Sequence, residues 1–384
     1  MPKGIRLFRV LGITISIDYS WFIVFVLFAW SLSYGYYPYY YKGLEKESYI
    51  IMGTVSALLL FVCVLIHELS HSVTANKLGL DIRGITLFIF GGVAEMTREP
   101  DDAAVELKIA VAGPIASGLL GGLFYLASKA VPASGFPLLH PVLSYLSLVN
   151  LILMAFNLIP GFPLDGGRVL RALWWAKTGD VYAATRAASQ AGRTFAFFLI
   201  ILGFFQILVG NFIGGLWMVL IGVFLQQAAL GGYQQLIIKK MLGGVRVGDV
   251  MSKEVVSIDG DMTIQEAVDD YFLTHHFASF PVTSGAKAVG IITFKGVKSV
   301  ERARWAETLV RGVMVALDEK DFLKPAESAM DAFAKISQSG IGRLPVLFEG
   351  KLVGMVSRGD LLRIIEINTT LKGFSSTAGK RSRR

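Results

Sequence analysis

Hydrophobic residues fall into long stretches without a charged side chain over the first 240 positions, and into shorter, interrupted stretches after that. The charge-free stretches span residues 19–41, 48–66, 109–128, 130–164 and 194–238. Because a helix that crosses a bilayer needs roughly 20 mostly apolar residues, each of the first four stretches predicts one span. The last stretch is long enough for two helices, with glycines at Gly210 and Gly214 between them. The pattern therefore predicts six membrane-spanning helices.

Charge is unevenly distributed between the two parts of the chain. Only 17% of the residues are charged, against about 25% in a soluble domain, which excludes an ordinary soluble enzyme and a disordered chain. Residues 241–384 nevertheless contain 20 Lys and Arg and 17 Asp and Glu, as a water-soluble domain would. The sequence thus predicts an α-helical polytopic membrane domain over residues 1–240, followed by a soluble module.

Lysine and arginine predict how the membrane domain is oriented. If the N-terminus is cytoplasmic, the cytoplasmic segments hold most of its basic residues, and the outer loops hold only Lys42, Lys46 and Lys129. Basic residues favour the cytoplasmic side, so we expect a multi-pass cell-membrane protein whose N-terminus and soluble module are cytoplasmic. This bias explains the net charge of +8, and no nucleic-acid partner is expected. Residues 367–384 are predicted to be a disordered basic tail that touches membrane lipid.

A His-Glu-x-x-His motif ends the second apolar stretch, at His67, Glu68 and His71. Residues four apart share one face of a helix, so both imidazoles can bind one metal ion, with Glu68 beside them as a potential base. The alternative is a pair of structural histidines bonded to neighbouring side chains. Ionisable residues in a membrane span are costly and usually functional, which favours the metal site.

Catalytic zinc usually takes three protein ligands and leaves one position for water, so a third ligand is needed. Asp165 directly follows the fourth charge-free stretch, in a segment that the predicted topology returns to the cytoplasmic side. The second span delivers His67 and His71 near the same side. This shared depth favours Asp165 as the third ligand; the alternative is a turn or helix-cap aspartate before Gly166.

These motifs resemble the site-2 protease family of intramembrane zinc metalloproteases, over roughly residues 1–235. The resemblance rests on His67-Glu-Leu-Ser-His71 and, further along the chain, on Asn157…Pro160…Leu164-Asp165-Gly166. It implies one catalytic Zn²⁺ bound by His67, His71 and Asp165. It also implies that Glu68 is the catalytic base, and that Asn157 steadies the substrate carbonyl or the developing oxyanion.

Two further segments match the family pattern. Phe90-Gly91-Gly92-Val93-Ala94-Glu95 resembles a short hairpin that follows the metal-binding helix. By analogy, Phe90, Gly91 and Gly92 are expected to pair with an unwound substrate strand, although a plain loop hairpin fits as well. Small residues in Ala112-Gly113-Pro114 let helices approach closely, so a packing role is expected there.

Residues 245–302 and 309–366 look like two copies of one α/β unit. Phe280-Pro281-Val282 of the first copy corresponds to Leu344-Pro345-Val346 of the second. The repeat resembles a pair of tandem CBS domains, which often bind adenine nucleotides between the copies. The resemblance implies nucleotide contacts from Ser357 and Asp360 in the second copy. In the first copy it implies a contact from Thr293, but Gly296 stands where an aspartate is expected.

The soluble module also has readings without a nucleotide. It could be purely structural, or it could form a homodimer, and Ser357 and Asp360 could equally cap a helix. The best overall interpretation is a six-span intramembrane zinc metalloprotease that cleaves transmembrane segments of membrane-protein substrates, with nucleotide binding to the CBS pair as a candidate regulator. A CBS-regulated transporter and a catalytically silent membrane adaptor are the alternatives.

Overall fold

The computed structural model describes residues 4–89, 91–96, 100–132, 134–285 and 287–378, and the chain divides into two compact units, Met1–Tyr233 and Gln234–Arg384. The long helices are α1 (Tyr19–Tyr40), α2 (Lys46–Lys77), α3 (Ala103–Ala130), α4 (Leu139–Asn157), α5 (Asp165–Thr178), α6 (Val181–Leu208) and α7 (Phe212–Leu242). Among the described residues, all of these except α5 are long and apolar enough to cross a membrane. The predicted six-span architecture is therefore confirmed.

The structure differs from the predicted spans at α5 and α6. Helix α5 is amphipathic, and charged residues such as Arg168 and Arg171 interrupt its apolar positions, so it gives no charge-free stretch. Helix α6 begins at Val181 rather than near residue 194, because the Asp180 carboxylate accepts hydrogen bonds from the first backbone amides of the helix. Two polar helical segments, α5 and residues 181–193 of α6, thus lie next to the apolar spans.

A four-stranded sheet adjoins the spans of the first unit, and the sequence indicated only the hairpin near its last strand. Its strands are β1 (Ile5–Val10), β2 (Ile13–Ile17), β3 (Ile82–Phe88) and β4 (Gly91–Met96), and they lie in chain order. Strands β1 and β2 form one antiparallel hairpin, β3 and β4 form another, and β2 pairs in parallel with β3. Strand β4 is therefore an edge strand of this sheet.

The sheet packs against the end of α2. Ile13 and Ile15 of β2 and Ile85 of β3 are fully buried in one core with Ala75 of α2 and Ile109 of α3. Apolar burial of this kind contributes about 25 cal/mol per Å² removed from water, so the sheet fixes the last turns of α2 firmly. These turns carry the His-Glu-x-x-His motif.

The second unit contains the repeated α/β motif that the sequence predicts. The first copy has α8 (Val247–Val250), β5 (Ile258–Asp259), α9 (Ile264–Glu266), a π-helical turn (Ala267–Phe272), α10 (Leu273–His275), β6 (Ser279–Ser284), β7 (Lys287–Thr293) and α11 (Phe294–Lys298). Short 3₁₀ helices at Arg302–Arg304 and Val310–Gly312 lead into the second copy. That copy has β8 (Val315–Ala316), α12 (Ala329–Ser339), β9 (Arg343–Phe348), β10 (Lys351–Ser357) and α13 (Arg358–Ala378).

Each copy completes the core of the other. Val247, which begins the first copy, is buried with Leu344 in the core of the second, and Val310, at the start of the second copy, is buried with Phe280 in the core of the first. Strand β8 also joins the sheet of the first copy by pairing with β7. The two copies are therefore interlocked, and neither has a complete core of its own.

The end of the chain departs from the prediction. Helix α13 continues to Ala378, so residues 367–378, which were expected to belong to a disordered tail, are helical. The helix begins in the core of the second copy, where Leu361 is fully buried, and no proline interrupts it. Residues 379–384, the most basic part of the expected tail, lie outside the described residues.

Candidate metal centre

The two histidines of the motif lie on one buried face of α2. His67 and His71 are only 3% and 5% exposed, and both imidazoles face α3. Gly113 of α3 makes this approach possible, because a Cβ atom there would lie 2.6 Å from His67 Nε2. The glycine therefore has a more specific role than the helix packing that the sequence predicts: it leaves room for the imidazole nitrogens.

Hydrogen bonds to α3 fix the orientation of both imidazole rings. His71 Nδ1 lies 2.7 Å from the carbonyl oxygen of Ile109, and His67 Nδ1 lies 2.9 Å from Ser117 Oγ. A carbonyl oxygen can only accept, so His71 Nδ1 carries the hydrogen and Nε2 keeps its lone pair. Metal-binding histidines are typically held through the second ring nitrogen in this way.

Asp165, the first residue of α5, completes the cluster. Its Oδ2 lies 3.1 Å from His67 Nε2 and 3.1 Å from His71 Nε2, and the two nitrogens lie 3.3 Å apart. Atoms bound to zinc at about 2.0–2.1 Å in tetrahedral geometry are about 3.3 Å from one another. Lone pairs that converge this closely need a proton or a metal cation between them, and the spacing of the three atoms fits a metal ion.

The two neighbouring imidazoles favour the ionised form of the Asp165 carboxyl, which is the form that a metal ligand needs. Burial alone would raise its pKa, but the adjacent imidazoles of His67 and His71 lower it by more. The pKa of Asp165 therefore lies below its ordinary value. A buried carboxylate beside two histidine nitrogens is a donor set that suits Zn²⁺.

Glu68 lies beside the cluster and against the edge of the sheet. Its side chain contacts Gly92 of β4. A Cβ atom at Gly92 would lie 2.9 Å from the Glu68 carboxyl carbon, so only glycine allows this approach. The structure thus brings Gly92 next to Glu68. Gly91 adjoins it in β4, and Phe90 lies outside the described residues.

Asn157 is the last residue of α4, and the loop that follows it leads to Asp165. The residue is half-buried. Within the part of the chain that the structure describes, its side chain makes no hydrogen bond. The Asn157 amide is therefore available to a bound molecule.

A buried ionic cluster, which the sequence analysis missed, holds α5 against α3. Glu106 of α3 is fully buried, and its Oε1 accepts a hydrogen bond of 2.7 Å from Arg171 Nε and a second one from Arg171 Nη2. Arg168 Nε lies 3.9 Å from the same oxygen. The sequence analysis used these arginines only to predict which side of the membrane is cytoplasmic. Their spacing of three residues, which places them on one helix face, was the signal that could have indicated the cluster. Because α5 begins with Asp165, the cluster also positions the carboxylate.

The residues expected to contact a nucleotide cap helices in the second unit. Ser357 donates its backbone amide and its hydroxyl to Asp360 Oδ2, at 2.9 and 2.6 Å, and its hydroxyl accepts from the Asp360 amide. Thr293 Oγ1 accepts from the amide of Gly296 in the same way, at 3.1 Å. Helix capping by these residues is therefore observed in both copies. Asp360 Oδ1 is outside these bonds.

Comparisons with known proteins agree with this arrangement. The model of Peptidase family M50 matches residues 55–141 and 136–202, and the CBS domain model matches residues 247–301 and 316–367. The chain is 32% identical over 377 residues to Zinc metalloprotease MJ0392 of Methanocaldococcus jannaschii, covering 97% of this chain and 100% of that protein. It is 30% identical over 372 residues to Rip3 of Mycobacterium tuberculosis, covering 96% and 94%.

Solved structures are also similar to parts of the chain. The site-2 protease from Methanocaldococcus jannaschii matches 60% of this chain and 95% of its own, with 34% identity and a TM-score of 0.41. The fold and the family models define a multi-pass membrane metallopeptidase followed by tandem CBS domains. The chain belongs to peptidase family M50, the site-2 proteases, and is a zinc metallopeptidase, as the sequence predicts.

Proposed function

We propose that this protein hydrolyses peptide bonds within or near the transmembrane segments of membrane-protein substrates. The observation that carries the proposal is the cluster of His67, His71 and Asp165 beside Glu68, on a helix that is long and apolar enough to cross a membrane. At 1.5 Å per residue, His67 lies about 15 Å along α2 from Lys77, the charged end of the helix. The hydrocarbon core is about 30 Å thick, so this depth favours a substrate that is itself in the membrane.

Zn²⁺ would be held by His67 Nε2, His71 Nε2 and Asp165 Oδ2. When bound, it supplies Lewis-acid activation of a water molecule and of the substrate carbonyl. Ile109 and Ser117 hold the two imidazoles through Nδ1, which keeps both Nε2 lone pairs directed at the metal.

Glu68 acts as general base and then as general acid. Its carboxylate takes a proton from the attacking water and passes it to the nitrogen of the leaving amine. The close contact with Gly92 holds the carboxylate in place for both transfers. The Asn157 amide donates a hydrogen bond to the carbonyl oxygen as negative charge develops on it, which lowers the barrier further.

The edge of β4 would hold the substrate as an extended strand. A helical segment must unwind before its carbonyl groups can be attacked, because they are engaged in hydrogen bonds. Strand β4 is the last strand of its sheet, and no described strand pairs with its outer edge, so this edge at Gly91 and Gly92 can pair with such a segment. The contact between Gly92 and Glu68 supports this position, because it places the edge beside the proposed base.

The second unit would bind an adenine nucleotide and regulate cleavage. Asp360 Oδ1 makes no hydrogen bond to the described residues and can accept bonds from ribose hydroxyls. Gly296 offers no side chain at the corresponding position of the first copy, so we expect one site at most. Calorimetry with ATP, ADP and AMP on the wild type and on Asp360→Ala tests binding at this site. If saturating nucleotide leaves the cleavage rate unchanged, regulation of cleavage by nucleotide is excluded. A homodimer through this unit, without ligand, is the competing role.

The orientation of the membrane domain is also part of the proposal. Basic residues are concentrated on the side that holds the N-terminus, and this bias favours a cytoplasmic N-terminus and a cytoplasmic CBS pair. Cysteine substitutions at Lys42 and at Lys177, followed by labelling of intact cells with an impermeant thiol reagent, test the orientation. Labelling at Lys42 and not at Lys177 is expected, and the reverse pattern would contradict it.

The decisive test of the activity uses the full chain in proteoliposomes with candidate single-span substrates. We expect one zinc per wild-type chain together with cleavage of the substrate. Glu68→Gln should keep its zinc and lose cleavage, while Glu47→Gln, the same change in the exposed first turn of α2, should retain both. Cleavage by zinc-loaded Glu68→Gln would refute the role of Glu68, and wild-type protein without zinc would refute the metal site.

A further inference from the structure

A cavity of about 520 Å³ opens between helices α6 and α7, and no residue of the metal centre lines it. Further along the two helices the packing is close: a Cβ atom at Gly203 would lie 2.7 Å from the carbonyl oxygen of Gly215. Towards the start of α6 the helices leave space. The cavity is lined by Arg186, Ser189, Gln190, Arg193 and Phe197 of α6 and Gln226 of α7, among others.

The cavity lies where both helices change from apolar to polar. Residues 194–209 of α6 and the loop after it carry no charge, and Arg193 directly precedes them. On α7, residues 212–225 are apolar and Gln226 follows. The 16 residues from 194 to 209 rise about 24 Å, close to the thickness of the hydrocarbon core. Arg193 and Gln226 are therefore at the level of the lipid headgroups.

The chemistry of the cavity suits an anion. Arg186 and Arg193 are seven residues apart, so they lie on one face of α6, and both are exposed. Within the described ranges neither forms an ion pair. The side chains that line the cavity include no Asp or Glu, so two positive charges there are not compensated.

Ser189 gives an independent indication of a ligand. It lies between the two arginines, lines the cavity and is only 4% exposed. Its hydroxyl has no hydrogen-bond partner among the residues that the structure describes. Buried hydroxyl groups are nearly always hydrogen-bonded, so the Ser189 hydroxyl is a donor in need of an acceptor.

We propose that this cavity binds the phosphate group of an anionic phospholipid. The guanidinium groups of Arg186 and Arg193 would bind the phosphate oxygens, and Ser189 Oγ would donate a third hydrogen bond. Gln190 and Gln226 can bond the hydroxyl groups of the headgroup. Phe197, 58% exposed on the apolar side of the cavity, packs against an acyl chain. The uncompensated positive charge disfavours a headgroup that carries an ammonium group.

Free phosphate offers the same oxygens as a lipid headgroup, so the test compares both. Delipidated, zinc-loaded full-length protein in a neutral detergent is titrated with phosphatidylglycerol, phosphatidylcholine or sodium phosphate. Binding is measured by native mass spectrometry and by the shift in melting temperature. We expect phosphatidylglycerol to bind at least about tenfold more tightly than phosphatidylcholine. Both lipids offer a phosphate for charge-assisted hydrogen bonds, but the two arginines repel the ammonium group of phosphatidylcholine.

Variants locate the binding to the cavity. Arg186→Ala/Arg193→Ala should bind phosphatidylglycerol about 10- to 100-fold more weakly, since it removes two charge-assisted contacts. Lys77→Ala/Lys177→Ala removes the same charge from exposed positions outside the cavity and should change binding by less than about twofold. Ser189→Leu keeps both arginines but fills the cavity, and it should weaken binding as strongly as the arginine pair does.

Three results would overturn the proposal. The first is equal binding of the two lipids, and the second is an equal loss in the lysine control. The third is tight binding of sodium phosphate with the same dependence on arginine and no gain from the lipid, which would identify free phosphate as the ligand. Zinc content and the melting temperature without lipid show that each variant is folded.

Discussion

Gly113→Ala adds a single methyl group at the point where α3 faces the two proposed zinc-binding histidines. The new Cβ atom would lie 2.6 Å from His67 Nε2 and 2.7 Å from His71 Cε1. Ordinary van der Waals contacts begin at 3.4 Å, so the imidazole of His67 must retreat by about 0.8 Å, the difference between 3.4 and 2.6 Å. The methyl group therefore acts on both ligands at once.

The expected loss follows from the tolerance of a metal site. Metal–ligand distances hold to within about 0.2 Å, so a displacement several times larger breaks coordination. Removing only a supporting hydrogen bond costs about 10- to 100-fold in metal affinity. Displacing the ligands should cost at least about 100-fold, which corresponds to about 2.7 kcal/mol. The fold should survive, because alanine is favoured over glycine in a helix by about 0.5–1 kcal/mol.

The same helix provides a matched control. Gly122 has no heavy atom within 4 Å of an added Cβ, so Gly122→Ala changes helix propensity equally without steric conflict. Zinc dissociation constants from chelator competition are compared for the wild type and both variants. Gly113→Ala should lose zinc and cleavage while Gly122→Ala retains both. Unchanged zinc affinity in Gly113→Ala would refute the placement of the metal between α2 and α3.

Four further substitutions test the surroundings of the proposed metal site. Ser117→Ala should weaken zinc binding about 10- to 100-fold in chelator competition, because it removes the hydrogen bond to His67 Nδ1. Arg171→Gln should lower the free energy of unfolding by about 3–5 kcal/mol, because it leaves the buried Glu106 charge without its partner. Adding Glu106→Gln should recover most of this loss, and denaturant titrations measure both effects. Gly92→Ala should lower kcat but leave the zinc content unchanged, because the added Cβ displaces the proposed base and not the proposed ligands; loss of zinc would contradict this.

The grouping of His67, His71 and Asp165 was predictable from the sequence. The two histidines are close along one helix, and the topology places Asp165 at a similar depth in the membrane. His67 and His71 are four residues apart on an obvious apolar helix, and this spacing alone places them together. Asp165 is far along the chain, but two helices that end on the same side of a membrane bring their ends to a similar depth. The structure places its carboxylate 3.1 Å from both nitrogens, as the topology suggests.

Other features could not be predicted, because they depend on pairing between distant segments. Strand β2 pairs in parallel with β3 across the whole of α1 and α2, and short strands carry little periodic signal. From the sequence, Arg171 is indistinguishable from any charge in a cytoplasmic loop. Only the position of α5 in the structure shows that it pairs with buried Glu106. The exchange of Val247 and Val310 between the two CBS copies is equally invisible, because a sequence repeat shows similarity and not which copy a segment packs against.

The position of the cut in a substrate tests the proposed intramembrane proteolysis most directly. A single-span protein is incubated with the zinc-loaded full chain in proteoliposomes, and the new termini are identified by mass spectrometry, with Glu68→Gln as the blank. We expect a scissile bond within or at the edge of the apolar span, absent from the blank. A cut confined to a soluble loop, or one that Glu68→Gln makes equally well, would contradict hydrolysis at the centre formed by His67, His71 and Asp165.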